Sequence, residues 1–275
     1  MLRRYIKLLK RFPLLTAAIA ICYAMVCLKG LHTETYFQSF LLRTLLCGGM
    51  AFFLYQISGE KTLVSVYNST WYVVKVAMGF WIFAAILGVF SFFTVSEDYQ
   101  MWDNIPKQMI SLFLMFIFVG LFEELAFRAV INDAIIYRFR NRKFVFVLSA
   151  ICCCLVFGIC HVIGYELATP LAWAQAIGKT ISSGVFGLVL LFIYWKTRNI
   201  WACGLVHGIY DFLLSFSLGI YDQTARVSNY IVADEEAMAS LFAYGFSTAI
   251  ELGILIYVYF KIGKKIDYQK IREEW

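Results

Sequence analysis

Charge is what this sequence has least of. Only 15% of its 275 residues are Asp, Glu, Lys or Arg, against 61% hydrophobic ones, too little polar surface to clothe a soluble globule. Proline is nearly absent, at three residues, and no Gly/Ser-rich stretch or self-similar period occurs. Flexible linkers, tandem domains and solenoids are thereby excluded. The eight cysteines (Cys22, Cys27, Cys47, Cys152, Cys153, Cys154, Cys160 and Cys203) contain no C-x-x-C pair and lie within apolar runs. They read as small core residues rather than a zinc site or a secreted disulfide framework. The excess of basic residues, +6 overall, sits in loops that flank apolar runs, so it is a membrane-orientation signal and no nucleic-acid partner is implied.

What is abundant is long hydrophobic runs. Segments of about 20 apolar residues predict helices near 12–31, 37–57, 71–93, 105–131, 144–163, 171–195, 200–220 and 238–262. Open sheet is excluded, because lipid leaves backbone groups unsatisfied. The first run continues past Ala18-Ile19-Ala20, which reads as a span rather than a cleaved leader. Loop charge alternates. The amino terminus, Arg138/Arg140/Arg142/Lys143, Lys196/Arg198 and 261–272 are basic, whereas 32–36, 96–104, 164–170 and 221–236 are acidic or neutral. About eight spans put every basic segment on one side. The expected fold is an all-α polytopic transmembrane bundle, one integral membrane domain over 1–275, with both termini cytoplasmic. Trp71, Trp102 and Trp195 are candidate interfacial anchors.

A charged side chain at mid-bilayer costs about 2.5–3.5 kcal/mol, so each one asks for a partner or a function. Arg43 and Lys75 lie near helix ends and can snorkel. Lys179 shares a helical face with Gln175 and Ser183 and could line a polar cavity or pair with Glu251. The fourth span is different: Phe122-Glu123-Glu124-Leu125-Ala126-Phe127-Arg128 puts two carboxylates and a guanidinium within two turns of an apolar helix. Glu124 and Arg128, four apart, can form an ion pair on one face. Glu123 is about 100° further round and lacks that partner, which leaves it available as a general base.

Two of the three histidines also lie within spans. His161 follows Phe157 by four residues and His207 precedes Asp211 by four, so each pair shares a helical face. Bundles build sites from inward-facing side chains of several helices, and here a carboxylate and two imidazoles come from three. The loop alternation places the carboxylates in the cytoplasmic half of the fourth span and His161 toward the far end of its own. A site built on them is expected to open inward.

These residues resemble the three motifs of the CAAX protease and bacteriocin-processing enzyme family, which includes the Ras-converting type of prenyl-protein endopeptidase. Glu123-Glu124-x-x-x-Arg128, Phe157-x-x-x-His161 and His207-x-x-x-Asp211 occur in the family's order, within a core at 105–220. The resemblance implies an intramembrane glutamic endopeptidase. Glu123 and His161 would activate a water, His207 and Asp211 would stabilise the oxyanion, and Glu124, Arg128 and Phe157 would support them. Asp211 either donates when protonated or orients His207 by accepting from its ring. No cofactor, metal or covalent intermediate is implied. The partners implied are membrane lipid and a peptide or protein substrate, lipidated or not, in a bacterial cell membrane; oligomeric state is left open. Three other readings are weighed beside this one. The first is zinc held by His161, His207 and a carboxylate, which lacks the His-Glu-x-x-His pair. The second is a non-catalytic membrane partner such as a bacteriocin-immunity factor or sensor-kinase regulator. The third is a transporter using Lys179 and Glu251, without paired broken helices to support it.

Overall fold

All three prolines fall in the first turn of a helix, where a missing N–H costs nothing, so no apolar run is interrupted. A computed structural model describes residues 9, 11–31, 33–64, 66–95, 99–222 and 230–274. The basic residues Arg3, Arg4, Lys7 and Lys10 lie outside them. The long helices are α1 (Pro13–Gly30), α2 (Tyr36–Ser58), α3 (Thr70–Val95), α4 (Ile105–Phe139), α5 (Val145–Cys160), α6 (Pro170–Thr197), α7 (Ile200–Ser215) and α8 (Asp234–Lys261). A short α9 (Tyr268–Glu273) follows. Among the described residues there is no strand beyond a single bridge between Met101 and Tyr221. Thr35, Asn104, Thr169 and Asn199 cap α2, α4, α6 and α7 with side-chain oxygens, and Thr35 completes a capping box with Gln38.

The described residues are all-helical, and six helices among them are long and apolar enough to cross a membrane. The remaining two apolar helices, α1 and α5, are shorter. Lipid-facing stripes are plain on the surface. Val147, Ile151, Leu155 and Ile159 project from α5 at every fourth residue, all exposed, and Phe242, Phe246 and Ile256 are exposed on α8. Contiguous apolar surface of this extent belongs in a bilayer, so the chain is an integral membrane protein.

α7 runs through the middle of the bundle, against α4 on one side and α3 on the other, while α2 covers α4 and α6 is flanked by α5 and α8. The α4–α7 approach depends on glycine. A Cβ on Gly204 would meet Leu121, and one on Gly208 would meet the Phe116 carbonyl oxygen at 2.5 Å. This small-residue seam lets the two backbones touch, which brings His207 alongside the carboxylates of α4.

α4 departs from the predicted fourth span in two ways. Residues Glu124–Ile131 wind as a π-helix, and the helix then continues through Asn132–Phe139. Glu123 therefore lies sixteen residues, about 24 Å, before the basic end of α4. His161, sixteen residues beyond Val145, is the same distance from the basic end of α5. The added turns put Glu123 near the middle of α4 and at the level of His161, which closes the difference in depth between the two that the sequence suggested.

That basic end holds a closed polar network. Ser149 Oγ and Trp195 Nε1 donate to Asn132 Oδ1 at 2.7 and 2.8 Å, and Asn132 Nδ2 donates to Asp133 Oδ1 at 2.9 Å. Arg198 Nη1 pairs with Asp133 at 3.3 Å and its Nε with Glu274 at 3.3 Å, while the Thr62 hydroxyl donates to the other Asp133 oxygen. Two readings from sequence change here. Arg198 is not a loop cation but a buried one, at the left-handed end of α6 with φ 50°. Trp195 is buried in the network rather than anchored at an interface, whereas Trp71 is 64% exposed, as an anchor should be.

Candidate active site

Glu124 is fully buried, and its partners explain how. His207 Nδ1–H donates to Glu124 Oε1 at 2.8 Å, and Arg128 Nη1 lies 3.3 Å from the same oxygen. The ion pair that the i, i+4 spacing predicts is therefore formed, with the imidazole as a third member. Arg128 is itself held from three sides: its Nε donates to the Gly187 carbonyl at 3.4 Å and its guanidinium lies 4.0 Å from the centre of the Phe157 ring. Gly187 is required for this. A Cβ there would come within 2.6 Å of Arg128 Nη2 and 3.1 Å of Phe157.

Glu123 is not tied down in this way. Its carboxylate is 20% exposed and approaches the opposite edge of the same imidazole, with Oε2 3.6 Å from His207 Nε2. Asp211 Oδ2 is 3.5 Å from that nitrogen. His207 is thus gripped by Glu124 at Nδ1 and faced by two further carboxylates at Nε2. Phe186 packs edge-on against the ring, centroids 4.9 Å apart, which fixes its plane.

His161 Nδ1–H donates to the Phe157 carbonyl at 2.8 Å, and the Phe157 ring meets the imidazole edge-on at 4.7 Å. That bond sets the tautomer, so in the neutral ring the Nε2 lone pair is free to accept. Glu123 and His161 line one cavity of about 210 Å³, together with Ala24, Leu28, Arg43 and Tyr230. Among the described residues no N···O contact within 4.0 Å joins Glu123 to His161, which leaves room between them for a bridging molecule. A larger cleft of about 690 Å³, lined by Arg11, Arg138, Arg140 and Arg142, lies at the other end of the bundle, remote from these groups.

All seven residues singled out from sequence converge, from α4, the end of α5, and α7. Three other polar residues stand differently from their sequence reading. Lys179 lies over the Tyr230 ring at 4.2 Å and Glu251 accepts from the Ser182 hydroxyl at 3.3 Å, so the Lys179–Glu251 pair is not made. Arg43, read as a snorkelling residue, lines the cavity beside Glu123 instead. Its position early in a span hid this, since depth from sequence says nothing about which neighbours a face meets. No three His, Cys, Asp or Glu groups among the described residues are arranged to hold a metal ion.

Residues 105–213 match the family described as type II CAAX prenyl endopeptidase Rce1-like. No curated protein and no solved structure matches the chain.

Proposed function

We propose, from the match of residues 105–213 to the Rce1-like CAAX prenyl endopeptidase family, that this chain is a glutamic intramembrane endopeptidase. The observation that carries the reading is the shared cavity: Glu123, the one incompletely tied carboxylate of the pair, lines it together with His161, and no N···O contact within 4.0 Å joins the two. A water there donates one proton toward Glu123 and the other toward His161 Nε2. As Glu123 takes its proton, the oxygen attacks the scissile carbonyl carbon. The carbonyl oxygen, now carrying the negative charge, meets His207, which in its imidazolium form donates from Nε2. Glu123 then returns the proton to the departing amine as the C–N bond breaks, and the carboxylate is regenerated.

Within this scheme Glu124 holds His207 by Nδ1, and Arg128 and Phe157 hold Glu124 and His161. Asp211 acts by accepting at Nε2 between turnovers, in support of its role as an orienting group. The substrate is a membrane-associated peptide or protein. Peptidomics of cells carrying the intact chain or Glu123→Gln tests the reading: a peptide whose cleavage is lost with Glu123 supports it. Unchanged peptides together with an unchanged cellular phenotype would instead favour a non-catalytic membrane partner.

Eight crossings, with α1 and α5 included, put the basic loops and both termini on the cytoplasmic face. The cavity walls Leu28, Arg43, His161 and Tyr230 all belong to the opposite end of the bundle, so this orientation gives a site in the outer half of the membrane. Cysteine labelling checks it. In a chain with its native cysteines replaced, a membrane-impermeant maleimide applied to intact cells should label Glu166→Cys, between α5 and α6. It should label Asn141→Cys, between α4 and α5, only after permeabilisation. The reverse pattern would place the site on the cytoplasmic side.

A further inference from the structure

Among the described residues Arg43 is the one cation in the wall of the cavity that holds Glu123 and His161. Its Nε and Nη1 are shut off from solvent and donate to no acceptor among the described residues. Its closest aromatic contact is weak, with Cζ 5.9 Å from the centre of the Phe122 ring. Glu123 does not neutralise it directly, since no N···O contact within 4.0 Å joins the two. The wall around it is apolar, with Ala24, Leu28 and Phe127 among its residues. A guanidinium with two buried, idle donors in such a setting gains when an anion docks on it, because those two N–H groups have lost water and found no acceptor.

The occupant follows from size and chemistry. The cavity, at about 210 Å³, is smaller than the roughly 300–1,000 Å³ of ordinary ligand sites, so it accommodates the end of a chain more readily than the middle of one. A peptide that lays a bond beside Glu123 and ends in this cavity brings its own carboxylate to Arg43. Guanidinium and carboxylate are matched in charge and in planar geometry. On the proteolytic reading above, we propose that Arg43 is the specificity residue that binds the free C-terminal carboxylate of the substrate.

The test compares two probes in lipid nanodiscs: a farnesylated decapeptide with a free C-terminal carboxylate and the same peptide as its C-terminal amide. The wild-type chain should prefer the free acid by roughly 10- to 100-fold in kcat/KM, carried by KM rather than kcat. Arg43→Gln should collapse this ratio to about one, and Arg43→Lys should retain part of it. A ratio within one preparation is insensitive to the fraction folded. Equal cleavage of the two probes by the wild-type chain, or a preference that survives Arg43→Gln, overturns the proposal.

Binding of the same probes by fluorescence anisotropy separates this from the proteolytic reading. If neither probe is cut, a free-acid preference in binding that Arg43→Gln removes still supports the subsite, and equal binding overturns it. Repeating the assay in phosphatidylglycerol and phosphatidylcholine nanodiscs covers the other anion at hand. A preference independent of lipid supports the carboxylate. An Arg43-dependent response to phosphatidylglycerol, with no response to the peptide terminus, assigns Arg43 to a lipid phosphate and overturns the proposal.

Discussion

The two ends of the bundle both bury charge, but they finish it differently. At the Phe139 end of α4, Asp133 has its oxygens occupied by Arg198, Asn132 and Thr62, and Glu274 reaches in to take the remaining edge of Arg198. Sixteen residues earlier on the same helix, Glu123 has one distant imidazole contact and Arg43 has two idle donors. The first arrangement is a buried, ion-paired network, in which removing one member is costly. The second holds its unused hydrogen-bonding capacity toward a cavity. What separates the two ends is pairing: Arg198 has a carboxylate within 3.3 Å on each of two sides, whereas Arg43 has none within 4.0 Å among the described residues and lines a cavity.

The contrast can be broken from either side. Glu123→Gln should have the largest effect on function, lowering kcat by about 10³-fold in the peptide assay, while the thermal midpoint in detergent does not fall. A loss of stability comparable to the loss of activity would put Glu123 with the structural cluster instead. Arg198→Ala should do the opposite. It strands Asp133 in the interior and should cost about 3–5 kcal/mol of stability by detergent unfolding, with activity per folded molecule retained. Replacing both partners, with Asp133→Leu and Arg198→Met, should restore most of that loss.

Gly187→Ala sits between the two extremes. Its methyl group displaces Arg128 and loosens Glu124, so activity should fall roughly 10- to 100-fold through misplacement of His207. The accompanying destabilisation should be about 1–3 kcal/mol, read in the same melting scan. Asp211→Asn should have the smallest effect, below about tenfold in kcat/KM, because the amide keeps the shape and a hydrogen-bonding oxygen beside His207 Nε2. A loss as large as that of Glu123→Gln would mean that the charge of Asp211 takes part in the reaction.

Much of this was legible in the sequence because lipid imposes a simple rule on apolar runs. Seven of the eight predicted runs end within a few residues of their helices, and the three motifs meet as their spacing implies. The failures share a cause. The run at 105–131 stops short because Asn132, Asp133 and Arg138 look like a loop, whereas the first two are buried helix residues whose partners lie on other segments. Arg198 was counted as a surface cation because Asp133, which neutralises it, is 65 residues away. Arg43 was assigned to the headgroups for want of any sequence sign that α2 packs on the Glu123 face of α4. The π-helix at Glu124–Ile131 has no local signature in its residues either. Local periodicity reports which elements form; it does not report who meets a polar side chain once they have packed.

α5 carries a consequence for the membrane itself. Its 16 residues span about 24 Å, some 6 Å less than a typical hydrocarbon core. If α5 is one of the eight proposed crossings, a bilayer meeting so short a wall thins locally, at a modest cost per ångström. The shortfall is felt at the ends of α5, and His161 stands at one of them. On that reading headgroups and interfacial water are drawn down beside the imidazole, which shortens the route for the water of the proposed hydrolysis.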